Sequence, residues 1–170
     1  MTKAVLALGS NLGDREATIV EALLRIADVA GVELLAASAM HETPALKPHG
    51  VDHRAPAYLN AVAIVDTALS PEELLDAVNA IELDLGRVRG ERWADRTLDI
   101  DLIQFEGETR KTATLTLPHP RAAERAFVLR PWLDLDPEAE FPDLGPVADL
   151  LESTDQSGMK LRDDLVLEVQ

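Results

Sequence analysis

The chain contains no cysteine. That excludes a disulfide framework and a thiolate zinc site, and it is compatible with a reducing compartment. It also lacks a long apolar run. The five residues 4–8 give way to a polar turn, too short a stretch for a signal peptide or a membrane span, so a soluble, cytoplasmic protein is expected. Positive charge is scarce: 16 Lys and Arg stand against 31 Asp and Glu, a formal net charge of −15. A general nucleic-acid binder holds the phosphate backbone with net basic surface, and this chain does not offer one. Neither G-x-x-x-x-G-K-[ST] nor G-x-G-x-x-G occurs, so a bound nucleotide would be held by another route. No serine or cysteine triad is indicated.

What is present is concentrated. Eight of the twelve arginines fall between Arg87 and Arg130, a basic pocket set into an acidic body, as suits a small anionic ligand. For any one of them, simple pairing with a surface carboxylate is an equally open reading. The segment 87–101 reads RVRGERWADRTLDID. Side chains alternate along a strand, so Leu98, Ile100 and Leu102 share one face while Asp99 and Asp101 share the other, roughly 7 Å apart. Two such carboxylates repel unless a cation sits between them, and hard oxygens suit Mg²⁺. Arg87, Arg89, Arg92 and Arg96 would neutralise phosphate through their planar forks, and Trp93 offers a face for a ring.

With 170 residues the chain is read as a single domain, 1–170, able to bury a proper core. The order of elements follows from periodicity and punctuation. Residues 4–8 predict a buried strand. Asp14 predicts the cap of a helix with Ala17, Val20, Leu23, Leu24 and Ala27 at helical spacing, ended by Gly31. A second strand is expected over 32–40. A long exposed loop over 41–57 carries three histidines and three prolines, in the manner of a functional lid. A strand over 58–65 precedes Ser70-Pro71-Glu72-Glu73, a capping box opening a helix striped by Leu74, Val78, Ile81 and Leu85. The arginine-rich segment then leads into a strand over 97–105. This order, β-α-β-β-α-β, predicts an α+β fold with a ferredoxin-like core: an antiparallel sheet with two helices on one face. An additional C-terminal strand over 114–117 follows, then helix over 121–133, interrupted at Pro131. The tail after Pro137 carries no assigned role.

Three further features bear on chemistry. Gly9-Ser10-Asn11-Leu12-Gly13 lies between strand and helix; it is read chiefly as the turn itself, with phosphate binding by its N–H groups as the alternative. His119, held between Pro118 and Pro120, is either a turn residue or a donor to phosphate. Tyr58 and Asn60 share a strand face, while His41, His49 and His53 are too irregularly placed for a metal site.

Together GSNLGD, ETPAL, YLNAV, GRVRGERWADRTLDIDLI and LTLPHPRAAERAFVLRPW resemble, in order over roughly residues 5–142, the hydroxymethyl-dihydropterin pyrophosphokinase family of folate biosynthesis. The resemblance implies transfer of pyrophosphate from ATP to the hydroxymethyl group of the reduced pterin, giving the pterin diphosphate and AMP. It implies two Mg²⁺ ions on Asp99 and Asp101, with Arg89 and Arg96 acting catalytically beside them. Around ATP it implies Glu82, Arg87, Arg89, Arg92, Arg96, Leu102, Thr116, His119 and Arg125. For the pterin it implies Thr43, Pro44, Leu46, Tyr58, Asn60, Trp93 and Phe127, the last two sandwiching the ring. The expected partners are small molecules only, without nucleic acid or membrane, and the enzyme is expected to be a free-standing monomer. Three features depart from the family pattern: Ala94-Asp95, where Gly-Pro is usual; Pro120, where an aromatic is common; and the long loop from Thr43 to Tyr58, which carries Lys47, His49, His53 and Arg54. The alternative is a non-catalytic ferredoxin-like module binding metal-nucleotide or pterin.

Overall fold

The structure, a computed structural model, describes residues 1–11, 14–47, 50–52, 57–87, 98–156 and 158–162. In chain order the ferredoxin-like core comprises β1 (Thr2–Ser10), α1 (Arg15–Ala27), β2 (Val32–Ala37), β3 (Met40–Thr43), the small hairpin β4 (Ala45–Lys47) and β5 (Gly50–Asp52), β6 (Tyr58–Thr67), α2 (Pro71–Arg87) and β7 (Asp99–Phe105). Beyond it come β8 (Arg110–Lys111), β9 (Thr116–Leu117), a 3-10 turn at Ala122–Glu124, α3 (Ala126–Leu135), β10 (Glu140–Phe141), β11 (Gly145–Pro146), α4 (Val147–Glu152) and β12 (Lys160–Arg162). The main sheet runs β12-β3-β6-β1-β7, with β2 also paired to β6, and all its pairings are antiparallel. The expected α+β, ferredoxin-like arrangement is the one observed.

Local signals set the helix starts. The Asp14 carboxylate accepts the Ala17 N–H at 3.1 Å. Ser70 and Glu73 exchange bonds of 3.0 and 3.1 Å, so the capping box forms with Pro71 in the first turn. Leu74, Val78 and Ile81 of α2 are buried as expected. The face of α1 differs: Ile19, Ala22, Leu23 and Ile26 go inward, while Ala17 and Leu24 are exposed. That set satisfies the i, i+3, i+4, i+7 rule in full.

Both faces of the sheet are covered, not one. Ala4, Leu6 and Leu8 of β1 join Leu98, Ile100 and Leu102 against α1 and α2. Val5, Ala7, Val62 and Ile103 join Val128, Leu129 and Trp132 of α3 on the other side. The weakly patterned tail completes this second core with Phe141, Val147 and Leu151, and Trp132 meets Phe141 edge to face at 5.2 Å. Three expectations are corrected accordingly. The strand over 32–40 is two strands, parted where Ser38 exchanges bonds with Val62 through its own N–H (2.8 Å) and its hydroxyl (2.9 Å). The segment 41–57 begins as strand β3, and His41 is buried with Nε2 3.2 Å from Asp134 of α3. Pro131 does not interrupt α3; its ring is buried and the helix continues to Leu135, because packing outweighs the single backbone bond that proline forfeits.

Candidate active site

The register of four strands builds the site. Asp99 of β7 lies opposite Gly9 of β1, Gly9 opposite Asn60 of β6, and Asn60 opposite His41 of β3. Directly opposed residues in an antiparallel sheet share a face, so this row projects toward α3. In the next row, Asp101 opposes Ala7 and Ala7 opposes Val62. The carboxylates and Asn60 therefore stand two strands apart, about 10 Å, across a floor of glycine and alanine. A cavity of about 390 Å³ occupies this space, lined by Asp99, Asp101, Gly9, Asn60, Thr43, Pro44, Tyr58, Arg125 and Phe127, and by Asp155 and Met159 from the tail. Small-molecule sites commonly have this volume.

Gly9 is in the strand and has no positive φ, so turn geometry does not explain it. A Cβ there would stand 3.2 Å from the Asn60 Oδ1, so glycine lets the amide approach the strand this closely without displacement. The Asn60 amide is fixed from its other end, donating to the Thr43 hydroxyl at 2.9 Å. Its oxygen is thereby turned toward Gly9 and the cavity floor.

At the opposite end, Arg125 approaches Asp101 at 4.0 Å and lies 5.7 Å from the centre of the Phe127 ring, linking the carboxylate to the aromatic wall. Phe127 packs on the second core with one side and lines the cavity with the other. The Glu82 carboxylate of α2 accepts the N–H of Ile100, the residue between the two aspartates. Among the described residues β7 is the sheet edge, and no described strand pairs with that amide. His119 donates its backbone N–H to Ile103 at 2.8 Å and accepts the Arg121 N–H on Nδ1 at 3.2 Å. Burial chiefly, with Arg125 and Arg121 adding to it and Asp101 opposing, lowers its pKa below the usual histidine value. The ring is therefore neutral near pH 7, with its proton on Nε2.

The structure thus brings together Asp99, Asp101, Arg125, Thr43, Pro44, Tyr58, Asn60 and Phe127. Glu82 and His119 support β7 from outside the cavity lining. Thr116 sits in the β8–β9 hairpin opposite Lys111, and the Leu102 side chain is in the core on the far face of the sheet, so neither side chain lines the cavity. Arg89, Arg92, Trp93 and Arg96 lie outside the described residues, as do the side chains of Leu46 and Arg87. Among the remaining arginines, Arg110 is an ordinary surface pair with Glu72 and Glu108 at 2.8 and 2.6 Å. Asp155 and Met159 are cavity residues that sequence reasoning missed, and Gly9, read from sequence as part of a turn, lines the cavity from within the strand. Among the described residues no three His, Cys, Asp or Glu side chains cluster as a metal cage. The Asp99/Asp101 pair instead fits Mg²⁺, which commonly takes one or two carboxylates and fills its other positions with phosphate oxygens and water.

The antiparallel ferredoxin-like sheet thus carries a cleft with paired carboxylates at one end and the Asn60 amide at the other. Comparison with known proteins identifies the family. The model of 7,8-dihydro-6-hydroxymethylpterin-pyrophosphokinase (HPPK) matches residues 5–137, and the chain belongs to that family. It is similar to the 2-amino-4-hydroxy-6-hydroxymethyldihydropteridine pyrophosphokinase of Methylorubrum extorquens, 42% identical over 138 residues, 81% of this chain and 85% of the relative. The protein of the same name in Mycobacterium tuberculosis is 42% identical over 177 residues, 95% of this chain and 90% of the relative. Among solved structures, an HPPK-DHPS in complex with substrates superposes with a TM-score of 0.68 at 13% identity, over 90% of this chain and 45% of that one. Wild-type Plasmodium falciparum HPPK-DHPS gives 0.66 at 16% identity, over 89% and 44%. These structures establish likeness of fold, and the chain spans less than half the length of either. No helix among the described residues is long and apolar enough to cross a membrane.

Proposed function

We propose that this protein transfers pyrophosphate from ATP to the hydroxymethyl group of 6-hydroxymethyl-7,8-dihydropterin, releasing AMP, as a step of folate biosynthesis. The observation that carries the reading is the cross-strand row from Asp99 over Gly9 to Asn60. It gives one cavity an end suited to metal-chelated phosphate and an end suited to a hydrogen-bonding ring. Family membership supports a reduced hydroxymethylpterin as the acceptor and a pyrophosphate donor beside it.

In this mechanism Asp99 and Asp101 would hold Mg²⁺ together with ATP. When bound, the metal would supply neutralisation of the phosphate charge that develops during transfer. Arg125 adds a fixed cation beside Asp101, and Arg87, Arg89, Arg92 and Arg96 complete the phosphate cradle by their family positions. His119 donates from Nε2 to a phosphate oxygen; with Nδ1 already accepting from Arg121, it is a donor rather than a base. The ring lies over Gly9 and Ala7 with its polar edge on Asn60 and the backbone near Thr43, against Phe127, and Trp93 is assigned to its other face by family position alone. The hydroxymethyl oxygen attacks the β-phosphorus and gives up its proton to water, the bond from that phosphorus to the α–β bridging oxygen breaks, and AMP leaves. Holding the two substrates in line supplies most of the acceleration, since metal-bound carboxylates are weak bases.

The test is to incubate the protein with Mg²⁺, ATP and the reduced hydroxymethylpterin and resolve the nucleotides by chromatography. Pterin-dependent AMP is expected. ADP would mean ordinary phosphoryl transfer, and absence of turnover with binding retained would establish a non-catalytic module instead.

A further inference from the structure

We infer that the carboxy-terminal segment bearing Gly158 and Met159 is the pterin-side wall of the cavity, with Met159 a specificity-determining contact and Gly158 a positioning residue for Pro44. This rests on the functional reading above and extends it to residues beyond the stretch, 5–137, that the family model matches.

Three independent features place this segment on the site. Met159 and Asp155 line the same cavity as Thr43, Pro44 and Asn60, with Asp155 at the exposed mouth. Gly158 has φ +78°, and a Cβ built there would meet the Pro44 Cγ at 3.1 Å and Cδ at 3.2 Å. Its backbone therefore lies on the proline ring, and both its angle and the space above it favour glycine. Finally, β12 adds to the sheet edge at β3, with Lys160 opposite Glu42 and Leu161 opposite His41.

That last pairing is reinforced by charge. Arg162 donates to Glu42 Oε2 at 2.8 Å, and the Arg15 guanidinium lies 3.1 Å from the same oxygen. Arg15 also donates to the Ala57 carbonyl at 2.8 Å. Glu42 and Ala57 immediately precede Thr43 and Tyr58, the cavity residues at either end of the intervening segment. One cluster thus fastens both ends of that segment to α1 and to the carboxy-terminal strand. Met159, partly buried on the second core, presents an adaptable thioether side chain to the cavity, a surface suited to the flat apolar face of a bicyclic heteroaromatic ring.

The test compares the full-length protein with Met159→Ala, Met159→Leu and Gly158→Ala. Binding of the reduced hydroxymethylpterin is titrated in the presence of Mg²⁺ and a non-hydrolysable ATP analogue, and KM is measured for each substrate. Met159→Ala is expected to raise the pterin Kd and KM about tenfold, the scale of a lost apolar contact in a ring pocket. The ATP KM and kcat at saturating pterin should stay within about twofold. Gly158→Ala should show the same split through Pro44, and Met159→Leu, which conserves volume, should restore most of the affinity. Wild-type protein that binds no pterin would overturn the functional reading itself. Wild-type protein that binds pterin, with all three variants equal to it or with pterin and ATP weakened alike, would overturn this inference alone.

Discussion

Replacing Gly9 with alanine should separate folding from ligand binding. The new methyl would sit 3.2 Å from the Asn60 Oδ1 and 3.7 Å from Tyr58 Cδ1, and the amide is the group able to move. Moving it strains or breaks the Asn60 bond to Thr43, a neutral hydrogen bond contributing about 1 kcal/mol. At an ordinary strand angle, alanine recovers about 0.4–1 kcal/mol by restricting the unfolded chain. The two nearly cancel, so stability should change by less than about 1 kcal/mol and Tm by no more than about 4 °C in a chain of this size. Pterin binding has no such compensation. Misdirecting one ring hydrogen bond costs about 1–1.5 kcal/mol, close to tenfold in Kd, and the methyl also raises the floor on which the ring rests. Thermal melting together with pterin titration reads both quantities on one preparation. Unchanged pterin affinity in a normally folded Gly9→Ala protein would refute the argument that the cross-strand row is the substrate floor.

Other consequences can be checked with the same assays. Asp101→Asn should lower kcat by about 10²–10³-fold, the usual scale for removing one preorganised charge-stabilising group, while circular dichroism shows an intact fold; near wild-type turnover would remove Asp101 from the metal site. Glu82→Ala leaves the Ile100 N–H without its carboxylate partner at the sheet edge, and should cost about 1–2 kcal/mol of stability and lower kcat more than either KM, with Glu82→Gln recovering most of both. His119 provides a pH dependence in the ligand-free protein. Its folded pKa lies below the ordinary 6.5, so the unfolded chain takes up the proton first as pH falls. Stability should therefore decline as pH drops through about 6.5 toward the folded value, and denaturant melts of His119→Gln should lack that part of the decline.

The legible parts of the fold were those written in short spacings. The capping box at Ser70 and Glu73, the Asp14 cap and the Leu74, Val78, Ile81 stripe are local patterns, and they formed as read. So was the alternation over 98–102, which put Leu98, Ile100 and Leu102 in one core and Asp99 and Asp101 in the cavity. The tail was not legible. Its strands of two or three residues and its six-residue helix are too short to display a period, although Phe141, Val147 and Leu151 complete a core. Pro131 misled because local propensity forbids what burial on the second core stabilises. The break at Ser38 arises from bonds to Val62, a residue on another strand.

The sequence by itself determined the element order, the helix caps, the paired carboxylates and the family. Each depends on residues a few positions apart, or on a linear order of motifs. Tertiary structure decided that Gly9 separates Asp99 from Asn60, that Glu82 holds the edge amide of Ile100, that Gly158 lies on Pro44, and that Met159 joins Pro44 in lining one cavity. Strand register and sheet order bring these residues together from distant parts of the chain, and no local pattern encodes which side chains will then share a row.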